Sequence, residues 1–317
     1  MKNGFVCAVA TLLVAASGAL AQNSDLAGHG AAVVTVLPNK STEQQMDVTQ
    51  QDIQQVKVGG KDAQVTGWSA LRGTSSPVEL VFLIDASARS SLGTQMGEIT
   101  KFVQEMPPNT QMAIAYMVNG TAVFSSQQPL SSNPSQVLQA LHVTAGPIDQ
   151  SASPYFCLSD LAKHWPSNDR SARRIVVMIS DGIDYYDLRY DPEDPYVRAA
   201  TDDAVRHHLV VYFLYWADIG RISRMGFEQS AGQNLMLEVT QATGGFSYWE
   251  GFGNPVTFEP YFRDLRRRLD NQYGLEFAAP LKGNVPEIEN LNFKISVPAA
   301  KVDAPNQVLV YPRGAGQ

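Results

Sequence analysis

Residues 78–87 read VELVFLIDAS, and this stretch decides the fold. Its almost continuous apolar run, ended by an acid, is typical of a strand that is buried on both faces of a parallel sheet. Two further runs of this kind follow, RIVVMI at 174–179 and LVVYFL at 209–214. Helical patterns separate the three runs, and strands that alternate with helices predict a doubly wound, mostly parallel α/β sheet with helices on both faces.

Proline directly after a capping residue marks three of the helix starts. The pairs are Asn133-Pro134, Ser153-Pro154 and Asp194-Pro195, and each joins a side chain that caps a helix to a residue suited to the first turn. Apolar stripes at helical spacing predict three more helices. The stripes are Met96-Ile99-Val103-Met106, Leu235-Val239-Ala242 and Phe258-Phe262-Leu265-Leu269.

One hairpin signal refines the topology. Two strand-like runs, 111–118 and 121–124, are separated by Asn119-Gly120. This dipeptide favours a tight two-residue hairpin turn, because both residues tolerate positive φ. We therefore expect one antiparallel strand, placed at the edge of the otherwise parallel sheet.

Shorter strand patterns lie on both sides of this region. They are at 32–36, 56–58 and 63–66 before it, and at 273–277, 293–297 and 307–311 after it. The predicted organisation is a small N-terminal β module at 22–75, the α/β domain at 76–271 and a C-terminal β tail at 272–317. Because isolated short strands are unstable, we expect the module and the tail to pack together.

The first residues predict export. Lys2 precedes an apolar stretch at 5–20, and Ala19-Leu20-Ala21 offers the small-x-small site of a signal peptidase. The stretch is short for a membrane span, which needs about 20 apolar residues. We expect residues 1–21 to be a signal peptide, with a retained anchor helix as the alternative, and the mature protein to be periplasmic or secreted without a membrane span.

The net charge excludes some classes of partner, and the cysteine content predicts a single buried thiol. The formal net charge of −7 argues against nonspecific binding to nucleic acid or anionic lipid. Cys7 falls in the predicted signal peptide, so Cys157 remains in the mature chain. We expect Cys157 to be a buried thiol in a helix, as is common for cysteines outside disulfides.

The sequence does not carry the usual enzyme signatures. The histidines at 29, 142, 164, 207 and 208 fall in no metal-binding spacing, and the chain contains no nucleophile elbow, phosphate loop or dinucleotide fingerprint. Asp85 and Asp181 could still be imagined as the paired carboxylates of a hydrolase. Because serines stand beside both acids, ion coordination is the simpler interpretation, and we expect no catalysis.

Three polar motifs are expected at one edge of the sheet. Asp85-Ala86-Ser87 ends the first buried strand, Ser180-Asp181-Gly182 ends another, and Ser153 begins a helix between them. Together with the hairpin and the Thr243-Gly244-Gly245 step, they resemble the von Willebrand factor type A (vWA) family over roughly residues 76–271. The terminal segments look more narrowly like exported vWA-related proteins of acidobacterial type.

This resemblance implies a metal-ion-dependent adhesion site. In the family, an Asp-x-Ser-x-Ser motif, a threonine and an aspartate hold a divalent cation. Carried onto this chain, the ligands are Asp85, Ser87, Ser153 and Asp181, and the ion is Mg²⁺, which prefers oxygen ligands. Ser153 stands where a threonine is usual, which keeps the hydroxyl.

Arg89 departs from the family pattern. It occupies the place of the second serine, which removes one oxygen and brings a positive charge close to the expected ion. Two arrangements stay open. Either Arg89 points outward and water replaces the lost hydroxyl, or its guanidinium pairs with Asp85 or Asp181 and stands in for the cation.

A loop rich in tyrosine and acid follows the second acid. Residues 184–196 combine four tyrosines with five acidic residues, and tyrosine is enriched at the centres of protein interfaces. We expect Asp184, Tyr185, Tyr186 and Tyr190, together with Arg89, to contact the partner. The alternative is a solvated acidic loop whose tyrosines cover the core.

These observations predict an exported, non-catalytic binding module. It would engage a protein or peptide partner at the carboxyl end of the sheet, through a degenerate metal site. The alternative is a metal-free interaction or scaffold module in which Arg89 replaces the cation.

Overall fold

The computed structural model describes residues 27–39, 45–73, 76–144, 152–187, 193–217, 226–251 and 253–313. Within these ranges the side chains of residues 89, 90 and 226–228 are not described. The predicted signal peptide, residues 1–21, and Tyr190 lie outside the described residues. None of the helices in the described ranges has the length and hydropathy needed to cross a bilayer.

The described chain alternates strands with helices between two groups of strands. The strands are β1 Gly28–Pro38, β2 Ile53–Val58, β3 Lys61–Asp62, β4 Gln64–Ala70, β5 Val78–Asp85, β6 Thr110–Val118, β7 Thr121–Phe124, β8 Arg173–Ser180, β9 Leu209–Tyr215, β10 Phe246–Tyr248, β11 Gln272–Ala279, β12 Glu287–Ile295, β13 Ala300–Asp303 and β14 Gln307–Pro312. The helices are α1 Met96–Gln104, α2 Pro134–Leu138, α3 Pro154–Lys163, α4 Pro195–Arg206, α5 Gly226–Thr243 and α6 Glu259–Leu269, and 3-10 turns cover Gln50–Asp52 and Ala86–Gln95.

Across the described residues, six strands form the α/β sheet in the order β10-β9-β8-β5-β6-β7. All neighbours are parallel except β6 and β7. Asn119 and Gly120 join these two strands, both with positive φ, which is the geometry of the two-residue hairpin turn. The prediction of one antiparallel strand at the edge of the sheet is confirmed.

The apolar run in β5 contributes buried side chains to both faces of this sheet. Leu80, Phe82 and Ile84 pack on one face, which α1, α2 and α6 cover. Val81 and Leu83 point to the other face, against α3, α4 and α5. All five side chains are fully buried, and each contributes roughly 1.5–3 kcal/mol relative to an exposed position. This central strand explains why the run is continuous rather than alternating.

The predicted helix caps are present. The side chain of Asn133 accepts a hydrogen bond from the backbone N–H of Ser135 at 3.0 Å. Asp194 accepts from the N–H of Tyr196 at 2.8 Å, and Ser153 caps α3 in the same way. Each cap satisfies one of the amide groups that a helix start leaves without an intrahelical partner. Cys157 lies buried in α3, as expected.

The terminal segments build far more than the small flanking β segments that were predicted. Among the described residues, eight strands form one antiparallel sheet, ordered β3-β2-β12-β14-β1-β11-β4 with β13 paired to β1. Strands from both ends of the chain alternate in it, since β1 pairs with β11 and β2 pairs with β12. The predicted fold class therefore needs correction: a second, larger sheet adjoins the α/β sheet. The short strand patterns did not predict this sheet, because its strands pair between segments that are far apart in the sequence.

A buried arginine joins the two sheets. Arg268 of α6 is 3% exposed. It donates from Nε to Asp264 Oδ2 and from a terminal nitrogen to Asp303 Oδ2, both at 2.6 Å. Its guanidinium also lies 3.8 Å from the centroid of the Phe246 ring. Because Asp303 belongs to β13, these contacts connect the last helix of the α/β region to the antiparallel sheet.

Replacing this arginine should destabilise the protein. We expect Arg268→Ala to lower the free energy of unfolding by about 3 kcal/mol, because two carboxylates would lose a buried cation. Urea unfolding followed by circular dichroism measures the change. Arg263→Ala, an exposed position on the same helix, should change the value by less than about 0.5 kcal/mol. Equal losses in the two variants would contradict a linking role for Arg268.

Candidate functional site

The chain reverses its direction across the sheet at β5. From β5 it proceeds to β6 and β7 on one side, and then returns to place β8 on the other side. In open α/β sheets, ligands bind beyond the carboxyl ends of the strands at such a point. The register pairs Ile84 with Ile179, so Asp85 and the Ser180-Asp181 pair leave neighbouring strands at the same edge. We call this edge the rim.

Asp85 is almost fully enclosed at the rim. It is 2% exposed, and its Oδ1 accepts hydrogen bonds from the backbone N–H of Ser87 at 2.8 Å and from the Ser87 hydroxyl at 2.7 Å. Its Oδ2 accepts from the Ser180 hydroxyl at 3.0 Å. The hydroxyls of two serines, one from each strand end, therefore converge on one carboxylate.

Asp181 is the second buried acid of the rim. It is 4% exposed, and its Oδ1 accepts from the backbone N–H of Ile183 at 3.1 Å. Its Oδ2 accepts a hydrogen bond from the Tyr185 hydroxyl. Burial, and then the charge of Asp85, raise the pKa of Asp181 to about 7, against the opposing effect of the Tyr185 hydrogen bond. The two acids are thus close enough to interact.

Gly182 allows the rim to pack against α5. It has φ +72, and a Cβ there would lie 2.5 Å from Met236. On the facing helix, a Cβ on Gly232 would lie 2.4 Å from the carbonyl oxygen of Asp181. Glycine is needed at both positions, because larger residues would separate the helix from the loop that carries the acid.

Ser153, which begins α3, lies beside Asp184, three residues after Asp181. Ser153 is fully buried. Burial raises the pKa of Asp184, and hydrogen bonds from the Tyr186 backbone and then from Ser153 oppose this shift. The Oδ1 of Asp184 accepts from the N–H of Tyr186 at 2.9 Å. Its Oδ2 is buried and has no hydrogen-bond partner in the described part of the chain. Tyr155 connects α3 to the turn after Asp181, because its hydroxyl donates a hydrogen bond to the Gly182 carbonyl at 2.7 Å.

The expected partner-binding residues have different environments. Asp184 is 1% exposed, so it does not face solvent. It holds the loop after β8 from the inside by accepting a hydrogen bond from the Tyr186 N–H. The Tyr185 hydroxyl points inward to Asp181, whereas Tyr186 is 63% exposed. The backbone of Arg89 belongs to the 3-10 turn at Ala86–Gln95, but its side chain is not described, and both arrangements proposed for it stay open.

An aromatic surface adjoins the rim. The Tyr186 ring contacts Phe156 and Tyr196 with centroid separations of 5.1 and 5.2 Å, and Phe156 lies 5.1 Å from Tyr196. The three rings come from the loop after β8, from α3 and from α4. Phe156 and Tyr196 are half-buried. The sequence indicated Tyr186 through its loop, but Phe156 is far from that loop in sequence and was not foreseen.

Ser180 and the inward role of Tyr185 were also missed. Ser180 is within the quoted Ser-Asp-Gly motif, but it was not placed in the ligand set. The parallel register would have indicated it, because Ser180 lies opposite Asp85 once Ile84 pairs with Ile179. The direction of Tyr185 depends on side-chain torsions, for which the sequence carried no signal.

Comparisons with known proteins give distant likenesses. No family model matches the chain, and no curated protein matches it. An aerotolerance-related membrane protein from Bacteroides fragilis is 13% identical, covering 61% of this chain and 98% of that one with a TM-score of 0.42. BatB from Bacteroides thetaiotaomicron is also 13% identical, with 61% and 96% covered and a TM-score of 0.41.

The SpRpn10 VWA domain is similar at the same level. It is 13% identical, with 60% of this chain and 94% of that chain covered and a TM-score of 0.37. These likenesses are distant, and the fold is defined by the strand order and register described above. None of these likenesses supports the narrower resemblance to acidobacterial proteins.

The raised pKa of Asp181 gives a pH-dependent contribution to stability. A folded-state pKa of about 7, against an ordinary value of 3.8, means that the folded chain holds this proton more tightly than the unfolded chain. The contribution of Asp181 to stability therefore falls as the pH rises from about 4 to 7. Relative to the parent, Asp181→Asn should gain stability over this window, by at most about 1.4 kcal/mol per pH unit.

Urea unfolding between pH 4.5 and 7.5, with a chelator present, measures this difference. Asp169→Asn is the control, because hydrogen bonds from Ser171 lower the pKa of Asp169. Its effect should stay constant over the same range, since both the folded and the unfolded carboxyl are charged there. A constant difference between Asp181→Asn and the parent would contradict the raised pKa.

Proposed function

We propose that this chain is an exported, non-catalytic binding module of vWA type that engages a protein or peptide partner at the rim. One observation carries the proposal: Asp85 and Asp181, both buried, meet at the point where the strand order reverses. Two carboxylates in such a place cost free energy unless a cation or several donors compensate for their charge. Because the two acids destabilise the fold when nothing compensates for their charge, a role in binding explains their presence better than a purely structural role does.

The oxygens at the rim fit a hard divalent cation. Asp85 and Asp181 offer carboxylates, and Ser87 and Ser153 offer hydroxyls, which are groups that Mg²⁺ accepts alongside water. In the described ranges no three His, Cys, Asp or Glu side chains could hold a metal among themselves, so hydroxyls, water and the partner would complete the ligand set.

The aromatic surface supports a protein partner. Tyr186, Phe156 and Tyr196 offer a compact set of rings beside the two acids, and aromatic side chains are enriched where interfaces contribute most to affinity. A carboxylate of the partner could complete the coordination of the cation while neighbouring apolar groups cover Tyr186. The preferred partner is therefore an acidic segment that also carries an apolar residue.

A metal-free interaction module is the second candidate. Its support is that Ser87, Ser180, Ile183 and Tyr185 already donate hydrogen bonds to the two acids. In that case Arg89 would supply the missing positive charge.

Calorimetric titration with Mg²⁺ separates the two candidates. We expect the parent protein to give a saturable heat, and Asp181→Ala to bind at least tenfold more weakly, because it removes one of two carboxylates. Asp62→Ala, an exposed acid on β3 of the other sheet, should bind like the parent. If the parent gives no binding heat, the metal-dependent proposal is wrong and the metal-free module replaces it.

A further inference from the structure

A short segment between β1 and β2 lies against the antiparallel sheet without pairing with it. We call this segment, residues 45–48, the strap. Among the residues that the structure describes, the backbone groups of Met46 and Val48 make no hydrogen bond to another backbone group. Strands of a sheet, in contrast, exchange hydrogen bonds with a neighbouring backbone. The strap is therefore a segment bound to the sheet and not one of its strands.

Side chains from distant parts of the sequence hold the backbone of the strap. They are Trp68, Arg72, Asn271 and Tyr273. The Met46 N–H donates to Asn271 Oδ1 at 3.3 Å, and the Met46 carbonyl accepts from the Tyr273 hydroxyl and from Arg72. The Val48 N–H donates to the Tyr273 hydroxyl at 3.2 Å, and the Val48 carbonyl accepts from the Trp68 indole N–H at 2.9 Å. All four backbone groups of Met46 and Val48 are thus bound.

The side chains of the strap alternate between the sheet and solvent. Val48 is buried in the apolar core of the antiparallel sheet, and Met46 packs against the same core. The side chain of Asp47, between them, is exposed, and its carboxylate lies 3.3 Å from a terminal nitrogen of Arg72. This alternation is that of an extended chain. The strap therefore presents an apolar–acidic–apolar pattern to the sheet.

The sheet itself supports the side chains that hold the strap. Trp68 of β4 and Tyr273 of β11 belong to paired strands, and their rings stack with a centroid separation of 4.9 Å. Trp68 also stacks on Phe293 of β12 at 5.6 Å, and the Arg72 guanidinium lies 5.2 Å from the centroid of the Tyr273 ring. Because none of these contacts involves the strap, the arrangement persists when another extended chain takes its place.

The contacts of the strap are those of a bound peptide. In sites for extended peptides, main-chain hydrogen bonds supply affinity, and pockets for alternate side chains supply specificity. We propose that Trp68, Arg72, Asn271 and Tyr273 form a peptide-binding groove that the strap fills as an internal occupant. An extended segment of a partner protein with the apolar–acidic–apolar pattern replaces the strap there. The groove lies on the antiparallel sheet, so this inference goes beyond the proposed function and does not depend on the rim.

A peptide with the sequence of the strap tests the groove. The probe is a fluorescein-labelled peptide of residues 45–50, and fluorescence anisotropy gives its affinity. In the parent the strap competes at a high effective concentration, so we expect weak binding. Val48→Gly removes the buried side chain from the strap and leaves the groove intact. We expect this variant to bind the peptide about tenfold more tightly, because the strap loses the apolar area that holds it.

Three controls accompany this variant. Val256→Gly makes the same change at an exposed valine, and we expect it to bind the peptide as the parent does. A peptide with glycine in place of its valine should bind Val48→Gly about tenfold more weakly than the original peptide. Adding Trp68→Phe to Val48→Gly keeps an aromatic ring and removes the indole N–H, and should weaken binding about fivefold.

Asp47→Arg decides the question if urea unfolding shows that Val48→Gly does not fold. It changes an exposed side chain and places a second positive charge beside Arg72, so it weakens the strap without altering the core. We expect it to bind the peptide about threefold more tightly than the parent, since exposed charge pairs contribute modestly.

Each outcome supports or overturns the groove. Tighter peptide binding in the strap variants alone, weakened by Trp68→Phe, supports it. If the strap variants that fold bind the peptide no more tightly than the parent, or if Val256→Gly gains as much as Val48→Gly, the groove is wrong. If sedimentation shows a dimer of the parent that the peptide dissociates, the occupant is a second copy and the partner proposal is overturned. None of these results involves Mg²⁺, so failure here leaves the proposed function standing.

Discussion

The parallel pairing of β5 with β8 forces two acids of the same charge into one buried edge. Once Ile84 is opposite Ile179, Asp85 and Asp181 cannot separate without breaking the centre of the sheet. The repulsion between them, added to their burial, is the free-energy cost that the surrounding hydroxyl and amide donors reduce. Most of the local structure at the rim, including the serines, the glycine turn and the inward tyrosine, can be understood as a response to that cost.

Side-chain contacts connect the antiparallel sheet to the α/β sheet that carries the rim. Arg268 connects α6 to β13, and Arg173 of β8 donates to the Gln272 side chain and to the Leu269 carbonyl. Gln272 in turn donates to the Tyr212 hydroxyl of β9 at 3.1 Å. These contacts hold the amino-terminal end of β8, opposite the rim, and the middle of β9.

The sequence predicted the α/β sheet well because its signals are local. A buried central strand needs an apolar run, a hairpin of this type needs Asn119-Gly120, and a helix start needs a residue such as Asp194. Each of these requirements is visible within a few residues. The positions of Asp85 and Asp181 followed from the same logic, since both acids end apolar runs.

The antiparallel sheet and the details of the site could not be predicted in this way. Its short strands pair across most of the chain, and periodicity within one segment carries no information about a distant partner. The direction of Tyr185 and the ring contacts of Phe156 depend on packing in three dimensions. Ser180 is the intermediate case, because it was present in a quoted motif and needed the strand register before its role became visible.

The weaving of both chain ends into one sheet has a consequence for folding. β1 lies between β11 and β14, so its neighbours are synthesised long after it. Residues 78–269 carry all six strands of the α/β sheet in the described chain, so this region can fold as a unit before β11 and β14 are synthesised. The first strand must wait with its apolar side chains uncovered, and pairings between distant segments form slowly. The nascent chain therefore passes through a stage at which β1 is open to aggregation, and a chaperone that shields this strand would raise the yield of folded protein.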